Sequence, residues 1–518
     1  MPCLKAFIIP AESCIFKWNG YMTTKIMTNK HLKAVALATS LTLLSLASLS
    51  LTGCSNMTLR LGEETKKNVP LTLDDTITLE GISKDVSYLA SNELKGRNNF
   101  TPNIRKAADF IAKRFNEVGL TPSQSDSNFK QQYLLQKITP NTLTVEINSQ
   151  AIASEYLSMA TTVTDFEWHN SADKNNQSVT KQPLTNQPIN TVIIGEDDNV
   201  HQSLRELNNQ GGQHLVLLHP KHKEIFKRYQ GYFAHGLTKL LDKNATEQGG
   251  VIVIALTDMS KVMQFNIKGN AKVTTTPLSN VVGILPGKSK ANEIVLYSAH
   301  YDHLGVKPSI DAIPNGKTQQ SSEIFNGADD DASGVSAIIN LANHFAKMDN
   351  NERTLMFAAF SAEEIGGFGS RHFSTHVEPT KITAMINIEM IGKPAVFGDG
   401  TVWMTGMERS NLGEQLNQAL APKNLTVYTD PYPKQNLFYR SDNATLARLG
   451  VPAHSFSSTQ LDKDQHYHQV TDDINSLNLP SMLQVIKMLA IATTPLVDGS
   501  ITPSRIDPNK VKRNGLIY

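Results

Sequence analysis

Acidic and imidazole side chains gather in this chain where apolar runs end. The run Glu293-Ile-Val-Leu-Tyr-Ser-Ala-His300-Tyr-Asp302-His303 finishes in two histidines and an aspartate, and Leu355-Met-Phe-Ala-Ala-Phe-Ser-Ala-Glu363-Glu364 finishes in paired glutamates. Between them lies Asn326-Gly-Ala-Asp329-Asp330-Asp331-Ala-Ser-Gly334, which opens a helical pattern from Ala332 to Lys347. Such clusters have the composition of a hard-cation site, because imidazole and carboxylate are the donors that divalent metals take when thiolates are absent. One aspartate of the triplet is explained by helix capping and the dipole, whereas three adjacent carboxylates repel each other unless a cation neutralises them. Glu363 and Glu364 follow a strand directly, so neighbours point different ways: one can hold a metal while the other faces a water as general base.

Each cluster needs a strand end to present it. The apolar runs are of strand length, and open α/β sheets place their sites at the carboxyl ends of strands. His300 and Asp302 are two residues apart and leave the strand on the same side, which suits Asp302 to orienting the imidazole. Further strands are expected at 280–285, 384–388 (ending in Glu389), 401–404 and 451–456, with a closing helix near 479–493. A helix from Asn103 to Gly119 has Ala107, Ala108, Ile111, Ala112, Phe115 and Val118 on one face and a glycine at its end.

Five of these stretches resemble the di-zinc aminopeptidase family, the zinc exopeptidases related to bacterial secreted leucine aminopeptidases, glutamate carboxypeptidases and glutaminyl cyclases. The matches are Ala299-His300-Tyr-Asp302-His303, Gly327-Ala-Asp-Asp330-Asp-Ala-Ser-Gly334, Ser361-Ala-Glu363-Glu364, Asn387-Ile-Glu389-Met-Ile-Gly392 and Tyr467-His468-Gln-Val-Thr-Asp472, in the family's order across about 280–475. The resemblance implies an α/β fold with a mixed sheet flanked by helices, two Zn(2+) per chain and peptide substrates. It implies His300 and Glu389 on one zinc, Glu364 and His468 on the other, Asp330 bridging, Asp302 orienting His300, and Glu363 as the base. Glu389 departs from the family, which usually has Asp there. His466 competes with His468, and Tyr439 is a candidate for polarising the carbonyl; a carboxypeptidase would need a cationic pocket for the substrate's terminal carboxylate, for which Arg371, Arg440 and Arg448 are available. The reaction implied is removal of amino-terminal residues from peptides. Glutaminyl cyclase-like or carboxypeptidase activity on the same scaffold stays open, as does a non-catalytic binding protein.

The rest of the chain sets the frame. With 518 residues, 40% apolar and 19% charged, there is material for two or three domains, and a net charge of +1 gives no reason to expect nucleic acid. Cys3, Cys14 and Cys54 are the only cysteines, so the folded part has neither disulfides nor thiolate metal sites. Residues 1–53 read as an export signal whose start before Met22 fits no part of such a signal. Basic residues precede the apolar run 34–51, and Leu51-Thr52-Gly53-Cys54 resembles a bacterial lipobox. Cys54 would then be lipidated, placing an outer-membrane lipoprotein on the periplasmic side, with 54–76 as tether. The catalytic domain is expected at 77–128 and 277–500, and 501–518 as a tail. Residues 129–276 change texture and read as an inserted domain with a weak, positional resemblance to protease-associated domains. Its oligomeric state is not readable.

Overall fold

The computed structural model describes residues 71–518 apart from 124–127, 171–187, 242–248, 308–322 and 513–514. The export signal, the lipobox and most of the tether lie outside the described residues.

Eight strands carry the main sheet: β1 (Lys130–Ile147), β2 (Phe265–Leu285), β3 (Lys290–His300), β4 (Arg353–Phe360), β5 (Ile382–Ile388), β6 (Val402–Met404), β7 (Val427–Thr429) and β8 (Ala453–Ser457). They lie in the order β7-β6-β8-β5-β3-β4-β2-β1, and shorter strands complete a twelve-stranded mixed sheet among the described residues. The four central strands β4, β3, β5 and β8 are mutually parallel, whereas β2 runs antiparallel to β4 and β6 antiparallel to β8. Strands buried on both faces read as continuous apolar runs, and β5 is buried at every position.

Helices cover this sheet. Leu79–Leu89 (α1), Asn103–Val118 (α2), Gly334–Met348 (α3) and Leu479–Val497 (α4) bury their apolar faces in one core with β3 and β4. Gly119 takes φ 91° and ends α2, as its sequence suggested. Helix α4 is long and apolar enough to cross a membrane by length and composition alone, yet Val485, Ile486 and Leu489 are fully buried in the protein core.

The residue where the sequence texture changes back, Thr276, lies inside the 21-residue strand β2. Strands β1 and β2 pair from Phe265↔Ile147 to Val281↔Lys130, a long two-stranded arm continuous with the catalytic sheet. The far half of that arm contributes Val145, Ile147, Phe265 and Ile267 to a core shared with a second, four-stranded sheet. In that sheet, 190–194, 212–218 and 250–256 run parallel and 157–161 antiparallel, with helices Val200–Gln210 and Lys223–Ala234. Residues 501–518 are not a free tail. Ile506 and Val511 are buried in the catalytic body, Ile517 is buried beside the second sheet's helices, and Asn208 accepts from the Ile517 and Tyr518 amides.

Arg97 locks the start of the catalytic body onto the acidic turn. Its fully buried guanidinium donates to the carbonyls of Leu89, Tyr301, Asn326 and Gly327. Those four acceptors lie on three separate segments, so one side chain fixes their spacing. Truncating it leaves buried carbonyls unpaired, each costing about 1–3 kcal/mol. Arg97→Met is therefore expected to lower unfolding stability by about 3 kcal/mol or more, read from urea midpoints at constant m-value.

Candidate metal centre

His300, Asp330, Glu363, Glu364, Glu389 and His468 meet at the carboxyl edge of the four parallel strands. His300 ends β3, Glu363 and Glu364 follow β4, Glu389 follows β5, and His468 lies in the loop after β8. Asp330 sits in the turn 328–333 that leads into α3. Backbone conformations here are unusual: Ala362, just before the glutamate pair, Met390, just after Glu389, and His468 itself all adopt left-handed φ of 53–59°. Non-glycine residues persist there only when their surroundings hold them, as at built sites. Gly327, with φ 59°, has no room for a side chain, since a Cβ would lie 2.2 Å from the Asp330 carbonyl and 2.6 Å from the His303 ring.

Asp330 faces two groups at once. Its Oδ1 is 3.1 Å from His300 Nε2, which is 3.6 Å from Glu389 Oε1. Its Oδ2 is 3.2 Å from His468 Nε2, which is 3.3 Å from Glu364 Oε2. Two donors on one tetrahedral zinc, each about 2.1 Å from it, stand roughly 3.4 Å apart. His300 Nε2 is buried and makes no hydrogen bond despite that proximity, so these atoms face a common point rather than one another. The donor set and its spacing fit two divalent cations sharing Asp330.

His303 was quoted in the sequence motif without a role, and the fold brings it to the same place. Its Nδ1 lies 2.7 Å from Glu364 Oε1 and 3.8 Å from Asp330 Oδ2. The shorter distance is a hydrogen bond, too close for two ligands on one ion, so His303 steers Glu364 while His468 occupies the ligand spacing. The signal was its position three residues after His300, just past the strand end. His466 turns away, its Nδ1 on Thr471 at 3.0 Å. Tyr439 packs between Arg409 and Lys512, its hydroxyl accepting from the Lys512 amide, outside the cluster.

Asp302 does more than face His300. Its carboxylate is 3.7 Å from His300 Nδ1, which is 3.2 Å from the Asp302 carbonyl oxygen. The same carboxylate accepts from the amides of Glu363 and Glu364 and from Asn99 Nδ2 at 2.6 Å. Asp331 accepts from the amides of His300, Gly334 and Met390, and Asp329 from that of Gly392 while pairing with Lys393 at 3.3 Å. Asp472 accepts from the amides of Asp329 and Asp330. Glu389 is held from behind by the Ser441 hydroxyl and by Asn387 Nδ2 at 3.4 Å.

Electrostatics follow from this crowding. Burial opposes ionisation of Asp330, but His300 and His468 outweigh it and hold the carboxyl well below the usual range. Glu364 is likewise drawn down to about 2 by His303 and His468 against burial and Asp330. Glu363 goes the other way: burial, with Glu389 and Asp442 nearby, raises its carboxyl well above the usual range despite His300. A carboxyl raised in this way is suited to receive and release a proton.

Related sequences cover the stretch that carries these residues. Residues 280–493 match the profile of "Peptidase family M28". That match covers less than half of the chain. Leucine aminopeptidase 1 of Neurospora crassa is 28% identical over 222 residues, covering 40% of this chain and 52% of that protein. Aminopeptidase Y of Saccharomyces cerevisiae is 26% identical over 203 residues, covering 36% of each. The chain thus spans about half, or less, of the length of these curated relatives. Among solved structures, an aminopeptidase from Aneurinibacillus sp. strain AM-1 has a TM-score of 0.46 at 16% identity, covering 85% of this chain and 97% of that chain.

Asp442 supplies a test of the site's electrostatics. Its carboxyl is 1% exposed and is pushed up to about 7 by burial, with the Ser370 hydroxyl and His300 opposing the push and Glu389 and Asp302 adding to it. A folded-state pKa above the unfolded one means that the native state binds the proton more tightly. Its contribution to stability is therefore present at low pH and is lost as pH rises from about 4, where unfolded aspartates ionise, to about 7. In the metal-free protein, Asp442→Asn is expected to be more stable than the parent at pH 8, with the gap closing by pH 4, in urea titrations across that range.

Proposed function

We propose that this M28 segment makes the chain a di-zinc exopeptidase that hydrolyses amino-terminal residues from peptides. The observation that carries the reading is the two-sided Asp330 carboxylate, one oxygen turned to His300 and Glu389 and the other to His468 and Glu364. The printed names of the M28 relatives, leucine aminopeptidase and aminopeptidase Y, support the exopeptidase class.

Zinc ions held by His300, Asp330 and Glu389 and by His468, Asp330 and Glu364 would supply Lewis-acid polarisation of the scissile carbonyl and acidification of water. The chain supplies the proton path and the alignment. Glu363, partly open to solvent, takes a proton from the attacking water and returns it to the leaving amine. Asp302 fixes where Glu363 stands by accepting its amide and that of Glu364, so the base and a neighbouring ligand cannot move independently. Donors on both sides of Asp330, His300 with Glu389 and His468 with Glu364, favour a two-metal hydrolase over the one-zinc cyclase reading.

The reading predicts two zinc ions per chain by elemental analysis and cleavage of peptides with a free amino terminus, lost on chelation and restored by zinc. Glu363→Gln should keep both metals and lower kcat by about 10³-fold or more. Near-normal turnover in a variant still carrying two zinc ions would overturn the role of Glu363, and one zinc per chain would favour the cyclase class.

A further inference from the structure

A pocket continuous with solvent opens beside Glu389. Its walls include Met390, Trp403, Leu437 and Leu461, and Arg440 and Tyr467 stand in its lining.

Arg440 is tied to both halves of the centre through its neighbours. Ser441, next in sequence, donates to Glu389. Tyr467, whose hydroxyl accepts from Arg440 Nη2 at 3.3 Å, stacks on His468 with ring centroids 4.0 Å apart. The guanidinium therefore stands beside the ring that packs on His468. Its charge is unspent: among the described residues no carboxylate lies within ion-pair distance of it. The other two candidate arginines are engaged elsewhere, Arg371 over the Phe368 ring and Arg448 on the Lys512 carbonyl. In the cavity lining the one carboxylate is Glu389, already bound by Ser441 and Asn387 and facing His300.

Arg440 is exposed, and its planar fork of donors beside a partly apolar cavity is the chemistry that recognises a carboxylate. We infer that Arg440 anchors a carboxylate of the substrate in this cavity, so that the site prefers anionic peptides. Two sources carry that group: the acidic side chain of an amino-terminal Glu or Asp, and the α-carboxylate of a dipeptide. The inference rests on the peptidase reading above and refines it to a substrate class.

The test compares the zinc-loaded full chain on two matched pairs, Glu-p-nitroanilide with Gln-p-nitroanilide, and Leu-Leu with Leu-Leu-amide. The expected result is a preference of about tenfold or more in kcat/KM for the anionic member of one pair, expressed mainly in KM and weakened by salt. The pair that responds identifies the source. Arg440→Met should bring that ratio close to one with zinc content unchanged, and Arg440→Lys should restore part of it. Equal rates within both pairs, or a preference that survives Arg440→Met, would overturn the inference while leaving the peptidase reading standing. Failure of a fully zinc-loaded chain to cleave any of the four would overturn both.

Discussion

Burying several carboxylates together at the end of a sheet is the constraint that the rest of this structure answers. An isolated buried carboxylate is costly unless donors or a cation meet it. Asp302, Asp329, Asp331 and Asp472 are each fully buried, and each collects backbone amides from loops that are far apart in sequence. The stitches run from β3 to the loop after β4, from β3 and α3 to the loop after β5, and from the loop after β8 to the acidic turn. With those four satisfied, Asp330, Glu364 and Glu389 are left facing histidines instead of amides. The cage is thus built from the same residue types as the site it surrounds.

This division of labour resolves the repulsion expected of three adjacent aspartates. Asp329 meets Lys393 and the Thr459 hydroxyl, Asp331 meets three amides, and only the middle residue projects toward the histidines. The parallel arrangement of β4, β3, β5 and β8 makes this possible, because parallel strands bring their carboxyl ends, and the loops that follow them, to one edge. Antiparallel neighbours would have sent alternate loops to opposite edges and dispersed the groups.

The clusters were legible because they stand at the ends of apolar runs, where position along the strand fixes which edge a residue reaches. His300, Asp330, Glu363, Glu364, Glu389 and His468 were all named from spacing and motif, and the fold brings them to one place. What could not be read depended on contacts between distant loops. Nothing in His-Tyr-Asp-His says that Asp302 will accept the Glu363 and Glu364 amides, or that His303 will lie 2.7 Å from Glu364. The long arm of β1 and β2 was also hidden. Its Thr, Asn and Gln positions alternate with small buried sets, as they do in a strand exposed on one face, so the sequence there looks like a change of domain rather than an extension of one sheet. The residues after 501 looked like a tail because their few apolar side chains, Ile506, Val511 and Ile517, are too widely spaced to show a period, yet the first two enter one core cluster and Ile517 another.

Glu389 shows how a departure from a family pattern can be absorbed locally. A glutamate in place of aspartate puts its carboxylate about one methylene further from the backbone, and an unsupported longer side chain has more rotamers in which to miss its target. Here the outer oxygen is bound by Ser441 and approached by Asn387, which in turn donates to Ser441 and Ser455 and accepts from Ser298. Those partners lie on β3, on β5, on β8 and in the turn before 443–447, so the extra length is pinned from several sides, and the inner oxygen still stands 3.6 Å from His300. The turn that pins the longer Glu389 side chain is thus the same turn that carries Arg440 to the cavity lining.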